Sequence, residues 1–235
     1  MVQMKPTNKV PSKDSDGITQ KLISGEIQID RSQKWAIIIC VLAIGVIYAA
    51  LPPNLIIGPN WLLLVIEAAM LLPLIVSLFF KPVFSHGTQR MLTLILLGLL
   101  TLALVIGVAL LIITLPADKH ATNLLRSAAL LWSYNILIFG LWYWEIDGGG
   151  PLKRQLSGHQ AADFMFPQQV NGNPGGWAPH LLDYLFLAFT GATALSPADT
   201  YPLTQTAKAL MMVEAVLSLI VIVLLAARAV NILGS

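Results

Sequence analysis

The chain has 235 residues, of which 56% are apolar and only 11% charged, with a mean hydropathy of +0.74. Soluble domains carry about a quarter charged residues, so a soluble fold is excluded. The formal net charge is +2 and the basic residues are scattered, which excludes an electrostatic surface for nucleic acid.

Residues 1–34 form a polar tail holding Lys5, Lys9, Lys13, Lys21, Arg31 and Lys34. The first apolar run starts too late for a cleavable signal peptide, so this tail is expected to be retained and partly disordered. Crossing a bilayer as a helix takes about 20 apolar residues, because every backbone N–H and C=O must be satisfied inside the segment. Five runs approach or meet that length. Trp35 to Leu51 closes at Pro52 and Pro53, and Trp61 to Phe80 holds Glu67 and Pro73 before Lys81 and Pro82 stop it. Met91 to Leu115 is the most uniformly apolar, Leu124 to Trp144 ends in the cluster Trp142, Tyr143 and Trp144, and Thr206 to Leu233 is the last. Tryptophans at the ends of these runs suit the membrane interface. Cys40, the single cysteine, sits inside the first run and reads as a small hydrophobe without redox chemistry.

Between the fourth and fifth runs, Glu145 to Pro179 is rich in Gly, Pro and polar residues and reads as an exposed loop. His180 to Thr193 then forms an apolar helix too short to span, about 21 Å at about 1.5 Å per residue, with Pro179 as a favourable first-turn residue. A short apolar helix, a turn at Ser196-Pro197 and a full-length helix together suggest a re-entrant hairpin. The expected fold is all-α, an integral membrane protein of about five transmembrane helices plus a re-entrant pore helix. Residues 35–115 supply three peripheral helices. Residues 122–235 form a pore-like module with outer helix 124–144, loop 145–179, re-entrant helix and turn 180–199 and inner helix 206–233.

From Asp183 to Leu233 the chain resembles the pore module of prokaryotic potassium channels with two helices per pore. The resemblance rests on Thr193, Asp199, Pro202, Leu203, Thr204 and Lys208, with Glu214 and the closing Ala227-Arg228 in the inner helix. That family reads Thr-Val-Gly-Tyr-Gly-Asp at its selectivity filter. It implies a potassium-channel-like fold, a homotetramer around a central pore, and Thr193, Ala194, Leu195, Ser196, Pro197, Ala198 and Asp199 as the filter-like segment. The departure lies at the chemistry itself. Glycine supplies the positive-φ positions of a potassium filter, whereas Ser196 and Ala198 stand at the two glycine places and Pro197 at the aromatic one. Proline fixes φ near −65° and removes an N–H, so potassium selectivity is expected to be lost. Conduction through a wider, hydroxyl-lined pore is still open, with Thr193 and Ser196 as ligands, an Asp199 ring at the mouth and the negative end of the re-entrant helix favouring a cation. A capping role for Thr193 and a local turn at Asp199 are the plainer alternatives.

Glu67 and Glu214 lie in or near apolar helices, where an ionisable group faces the bundle interior or water. Glu214 is expected to hydrogen-bond behind the re-entrant loop, and Asn135 to join two helices. Glu145 and Asp147, in the run Trp144 to Pro151, either line a vestibule or solvate a loop; this run is similar to one in bacterial membrane proteins without recognised catalytic chemistry. His159, Asp163, His180 and Asp183 are better explained as interfacial residues than as a metal site. No metal, cofactor or enzymatic chemistry is expected.

The basic tail argues for a cytoplasmic N-terminus. Five crossings then leave the C-terminus outside, opposite to a potassium-channel pore, so orientation stays open. The resulting expectation is a channel-like protein of a bacterial inner (plasma) membrane, passing monovalent or hydrated cations, with the lipid bilayer as its surroundings. Its rival is a non-conducting scaffold or accessory subunit that keeps a vestigial pore fold.

Overall fold

The structure is a computed structural model that describes residues 31–56, 58–79, 86–114, 121–193 and 200–233. Helix α1, Arg31–Ala50, stops before Pro52 and Pro53, where a 3-10 turn Pro53–Leu55 takes over because proline has no N–H to continue the helix. There follow α2, Asn60–Phe79; α3, His86–Thr114; α4, Ala121–Ile146; the short α5, Pro151–Leu156; α6, Leu181–Ala192; and α7, Gln205–Leu233. Each apolar run forms a helix over its described residues, save Leu51 just past the end of α1, but several helices start before their run does. Four residues assigned to the polar tail, Arg31 to Lys34, belong to α1, and α3 begins at His86 rather than Met91. A helical backbone needs no apolar side chain to form, so polar flanks continue it into the interface. Residues 1–30 of the tail lie outside the described residues.

Among the described residues, three helices are long and apolar enough to cross a membrane, over Gly87–Thr114, Asn123–Gly149 and Gln205–Ala227. The described residues are those of a mainly helical membrane protein, and they include one small antiparallel ribbon. In it β1, Phe164–Met165, pairs with β2, Tyr201–Pro202, in the register Phe164 to Pro202 and Met165 to Tyr201.

Helix α4 is the hub, with α1, α3, α6 and α7 packed around it and α2 resting on α1 and α3. Leu131, Tyr134, Ile138 and Phe139 of α4 are fully buried against Ile44 of α1, Leu100 and Leu104 of α3, Ala188 of α6 and Val221 of α7. Lipid tails are as apolar as leucine, so close packing and interhelical hydrogen bonds hold such helices together. Gly140 illustrates the packing: a Cβ there would lie 3.2 Å from the Cα of Leu185, so only glycine lets α4 and α6 approach this closely. Trp142 Nε1–H, donating to Thr101 Oγ1 at 2.8 Å, illustrates the bonding between α4 and α3.

The segment 145–179 is not the exposed loop expected from its composition. It contains the 3-10 turn Asp147–Gly149, α5, β1 and a second 3-10 turn, Pro167–Gln169, and it buries Asp147, Arg154, Phe164 and Phe166. The glycine run is what turns the chain: Gly148, Gly149 and Gly150 have φ of 61°, 77° and 101°, which other L-residues adopt only with strain. Pro151 then opens α5, where its fixed φ suits the first helical position. Helix α6 has His180 as its N-cap, so Pro179 precedes the cap rather than occupying the first turn.

Candidate functional site

Helix α6 has 12 residues, about 18 Å of helix, and lies between α4 and α7. Leu181, Tyr184, Leu187, Ala188 and Ala192 face inward. Leu182, Phe186 and Phe189, spaced four and three apart on the opposite face, are exposed, Leu182 to 74% and Phe186 to 61%. Each end of α6 is gripped by a buried acid.

At the N-terminal end the acid is Asp147, 1% exposed. Its Oδ1 accepts from the N–H groups of Asp163 at 3.0 Å and Phe164 at 3.2 Å, and its Oδ2 accepts from the Tyr184 hydroxyl of α6. Arg154, also 1% exposed, donates through one guanidinium nitrogen to the carbonyls of Trp144 at 3.0 Å and Asp147 at 2.8 Å. That nitrogen lies 3.9 Å from Asp147 Oδ2, close enough for attraction but not for a hydrogen bond. The guanidinium also lies against an edge-to-face pair of rings, 4.6 Å from the Trp144 centroid and 5.1 Å from that of Tyr184. Asp163 ties this cluster to the start of α7. Its carboxylate accepts from Gly148 N–H at 2.9 Å and Thr204 Oγ1–H at 2.7 Å, and its carbonyl accepts from Leu203 N–H at 2.8 Å. Glu145 is buried as well, its Oε1 3.6 Å from Arg90 Nε of α3. Glu145 and Asp147 are therefore held in packed contacts instead of facing open water.

At the C-terminal end the acid is Glu214 of α7, fully buried. Tyr143 of α4 donates its hydroxyl to Glu214 Oε2, and a Cβ on Gly191 of α6 would come within 2.8 Å of that same oxygen. The carboxyl therefore lies against bare backbone in the last turn of α6. Asn135 of α4 completes the joint, donating to Ser218 Oγ at 2.8 Å and to the Glu214 carbonyl at 3.4 Å, the interhelical role read from sequence. Trp132 of α4 reaches the end of α6, its Nε1–H donating to the Ala192 carbonyl at 3.4 Å and its ring meeting Phe189 edge-on at 6.0 Å. Thr193 caps the helix: its hydroxyl donates to the Phe189 carbonyl at 2.8 Å and approaches that of Thr190 at 3.3 Å. Ala194, Leu195, Ser196, Pro197, Ala198 and Asp199 lie outside the described residues.

Of the four residues weighed as a metal site, both aspartates spend their carboxylates on local hydrogen bonds, and the bonds of the two histidines run through their backbone. Asp183 Oδ2 accepts from the His180 N–H at 2.7 Å, Asp163 serves the turn described above, and the His159 carbonyl accepts from Gln169 Nε2 at 2.9 Å and Asn173 Nδ2 at 3.3 Å. Among the described residues no three His, Cys, Asp or Glu side chains group as a metal would need. Burial, then the Arg154 charge, hold the His159 imidazole below its ordinary pKa.

The roles of Arg154, Tyr184, Tyr143, Trp132 and Gly191 in this site were not read from the sequence. Arg154 and Tyr184 meet Asp147 from seven and 37 residues away, and Tyr143 meets Glu214 from 71, separations at which no periodicity signals a contact. No family model matches the chain, and neither curated proteins nor solved structures give a match.

Proposed function

We propose that the chain is one protomer of a homotetrameric cation channel of the pore-loop type, without potassium selectivity, in a bacterial inner membrane. In this arrangement α1, α2, α3, α4 and α7 cross the bilayer and α6 enters it and turns back. The observation that carries the proposal is α6 itself: an apolar helix of about 18 Å, against a hydrocarbon layer of about 30 Å, lodged between an outer and an inner helix. Its last carbonyls, only partly answered by Trp132 and Thr193, would be costly against lipid and are satisfied by water or ions if copies share a wet axis. The negative end of the helix then draws a cation. Thr193 retains acceptor lone pairs beyond its capping bonds, and Ser196 and Asp199 follow it in the chain. The apolar stripe Leu182, Phe186 and Phe189 packs against neighbouring copies.

Purified protein in planar bilayers tests this. Conductance that favours cations over anions and treats Na⁺ and K⁺ alike is expected, reduced by Asp199→Asn. Silence under every voltage, pH and cation gradient removes the channel, and strict K⁺ selectivity removes the account of the filter. A non-conducting scaffold is the second reading, favoured by the commitment of the Thr193 hydroxyl to its own helix. A tetramer that forms and stays silent would select it.

A further inference from the structure

Outside the pore-like module, α2 carries a second acid within an apolar helix. Glu67 is 3% exposed, and a Cβ on Gly45 of α1 would lie 2.6 and 2.8 Å from its two carboxylate oxygens. The carboxyl therefore lies flat on a bare stretch of the α1 backbone. Its Oε2 has no hydrogen-bond partner among the described residues, and no cation pairs with it there. The titratable groups facing it are Tyr48, one turn along α1 from Gly45, and Tyr134 on α4, whose rings stand 6.4 Å apart. Helix α3, also packed on α2, has no titratable side chain between Arg90 and its end at Thr114. None of these neighbours supplies a positive charge. Apart from a backbone hydrogen bond at Gly45, nothing here answers a negative charge, so the place favours a carboxylic acid over a carboxylate.

We propose that Glu67 is a proton-exchange site that controls the seating of the α1 and α2 pair on α4. With the proton bound, the neutral carboxyl packs against Gly45 and the pair rests on α4 through Tyr48 and Tyr134. Release of the proton to water leaves an unpaired negative charge in an apolar contact, and the pair loosens. This holds whether or not the chain conducts ions, so its outcome is separate from that of the channel.

Cys40, the only cysteine in the chain, reports on that seating. It is buried on α1, with Sγ 4.0 Å from the Leu137 carbonyl of α4. Protein in lipid vesicles is reacted with a membrane-permeant maleimide from pH 5 to 10, wild type against Glu67→Gln at each pH. The ratio of the two rates cancels the thiol's own ionisation. The expected ratio is unity at acid pH, rising about tenfold at alkaline pH as the carboxylate forms. Glu67→Asp, which keeps a titrating group, retains the rise. A ratio of unity throughout overturns the proposal. A second measurement needs no variant. Dicyclohexylcarbodiimide, which attacks protonated carboxyls in apolar surroundings, is expected to modify Glu67 in the wild type at acid pH and progressively less as pH rises. A cavity of about 170 Å³ lies next to the contact, with Tyr48 and Ile66 in its wall. Absence of modification at acid pH, or equal modification at every pH, overturns the proposal.

Discussion

Arg154→Leu is expected to cost this protein more stability than any surface charge. The substitution removes a cation from a fully enclosed place, together with two hydrogen bonds to the Trp144 and Asp147 carbonyls and two ring contacts. Breaking a buried charge pair by deleting one member costs about 3–5 kcal/mol, because the remaining charge stays buried. Asp147 keeps three donors, the N–H groups of Asp163 and Phe164 and the Tyr184 hydroxyl, so the lower end of that range, about 3 kcal/mol, applies. Asp147→Asn costs less, about 1–2 kcal/mol, since its Oδ1 still accepts both N–H groups and Arg154 keeps both carbonyls. With the anion neutralised, loss of the cation hurts less. The double variant is therefore expected to fall short of the sum of the singles by about 1 kcal/mol or more. Denaturant unfolding in mixed micelles, followed by tryptophan fluorescence and fitted as a double-mutant cycle, measures this. Additive singles, or an Arg154→Leu cost below about 1 kcal/mol as for an exposed pair, would refute the placement of this cluster at the head of α6.

Gly191→Ala is expected to destabilise by about 1–3 kcal/mol, since its methyl needs the space of Glu214 Oε2; in the same unfolding assay, Glu214→Ala should relieve most of that cost. Tyr143→Phe leaves both Glu214 oxygens without a partner among the described residues and is expected to cost about 1–3 kcal/mol. Asn135→Leu removes the bond to Ser218 and is expected to cost about 0.6 kcal/mol, the mean for such bonds between membrane helices, read from thermal aggregation in detergent. His159 has its folded pKa held below the unfolded value, so the unfolded chain binds the proton more readily between the two. Local stability of 157–176 is therefore full above the ordinary histidine range and declines as pH falls through it. Amide exchange should show this loss in the wild type but not in His159→Asn, since asparagine tolerates the positive φ of 53°.

The long helices were legible because apolar length is a local property: each of the five runs forms a helix over its described residues, whatever it packs against. The short helix after Pro179 was equally legible, as was Asn135 as an interhelical bond. The folding of 145–179 was not. By composition Gly148 to Gly150 belong to an exposed loop, and Asp147 either lines a vestibule or solvates that loop, because composition reports a residue's average surroundings and not its partner across the chain. Phe164 and Phe166 were the hint: aromatic residues in a polar segment need a surface to bury on, and Tyr184 and Trp177 provide it. The position of Glu214 was half legible. Its depth in α7 followed from counting turns, but its seat against Gly191 depends on how α6 is inclined, which no pattern in the sequence records.

Imaging the purified protein in lipid nanodiscs, with density for residues 193–200, bears most directly on the proposed channel. Four copies are expected, each with the last turn of α6 directed at a common axis and the Trp132 indole behind it. A lone protomer, or a ring of copies in which that turn abuts lipid, would contradict the account.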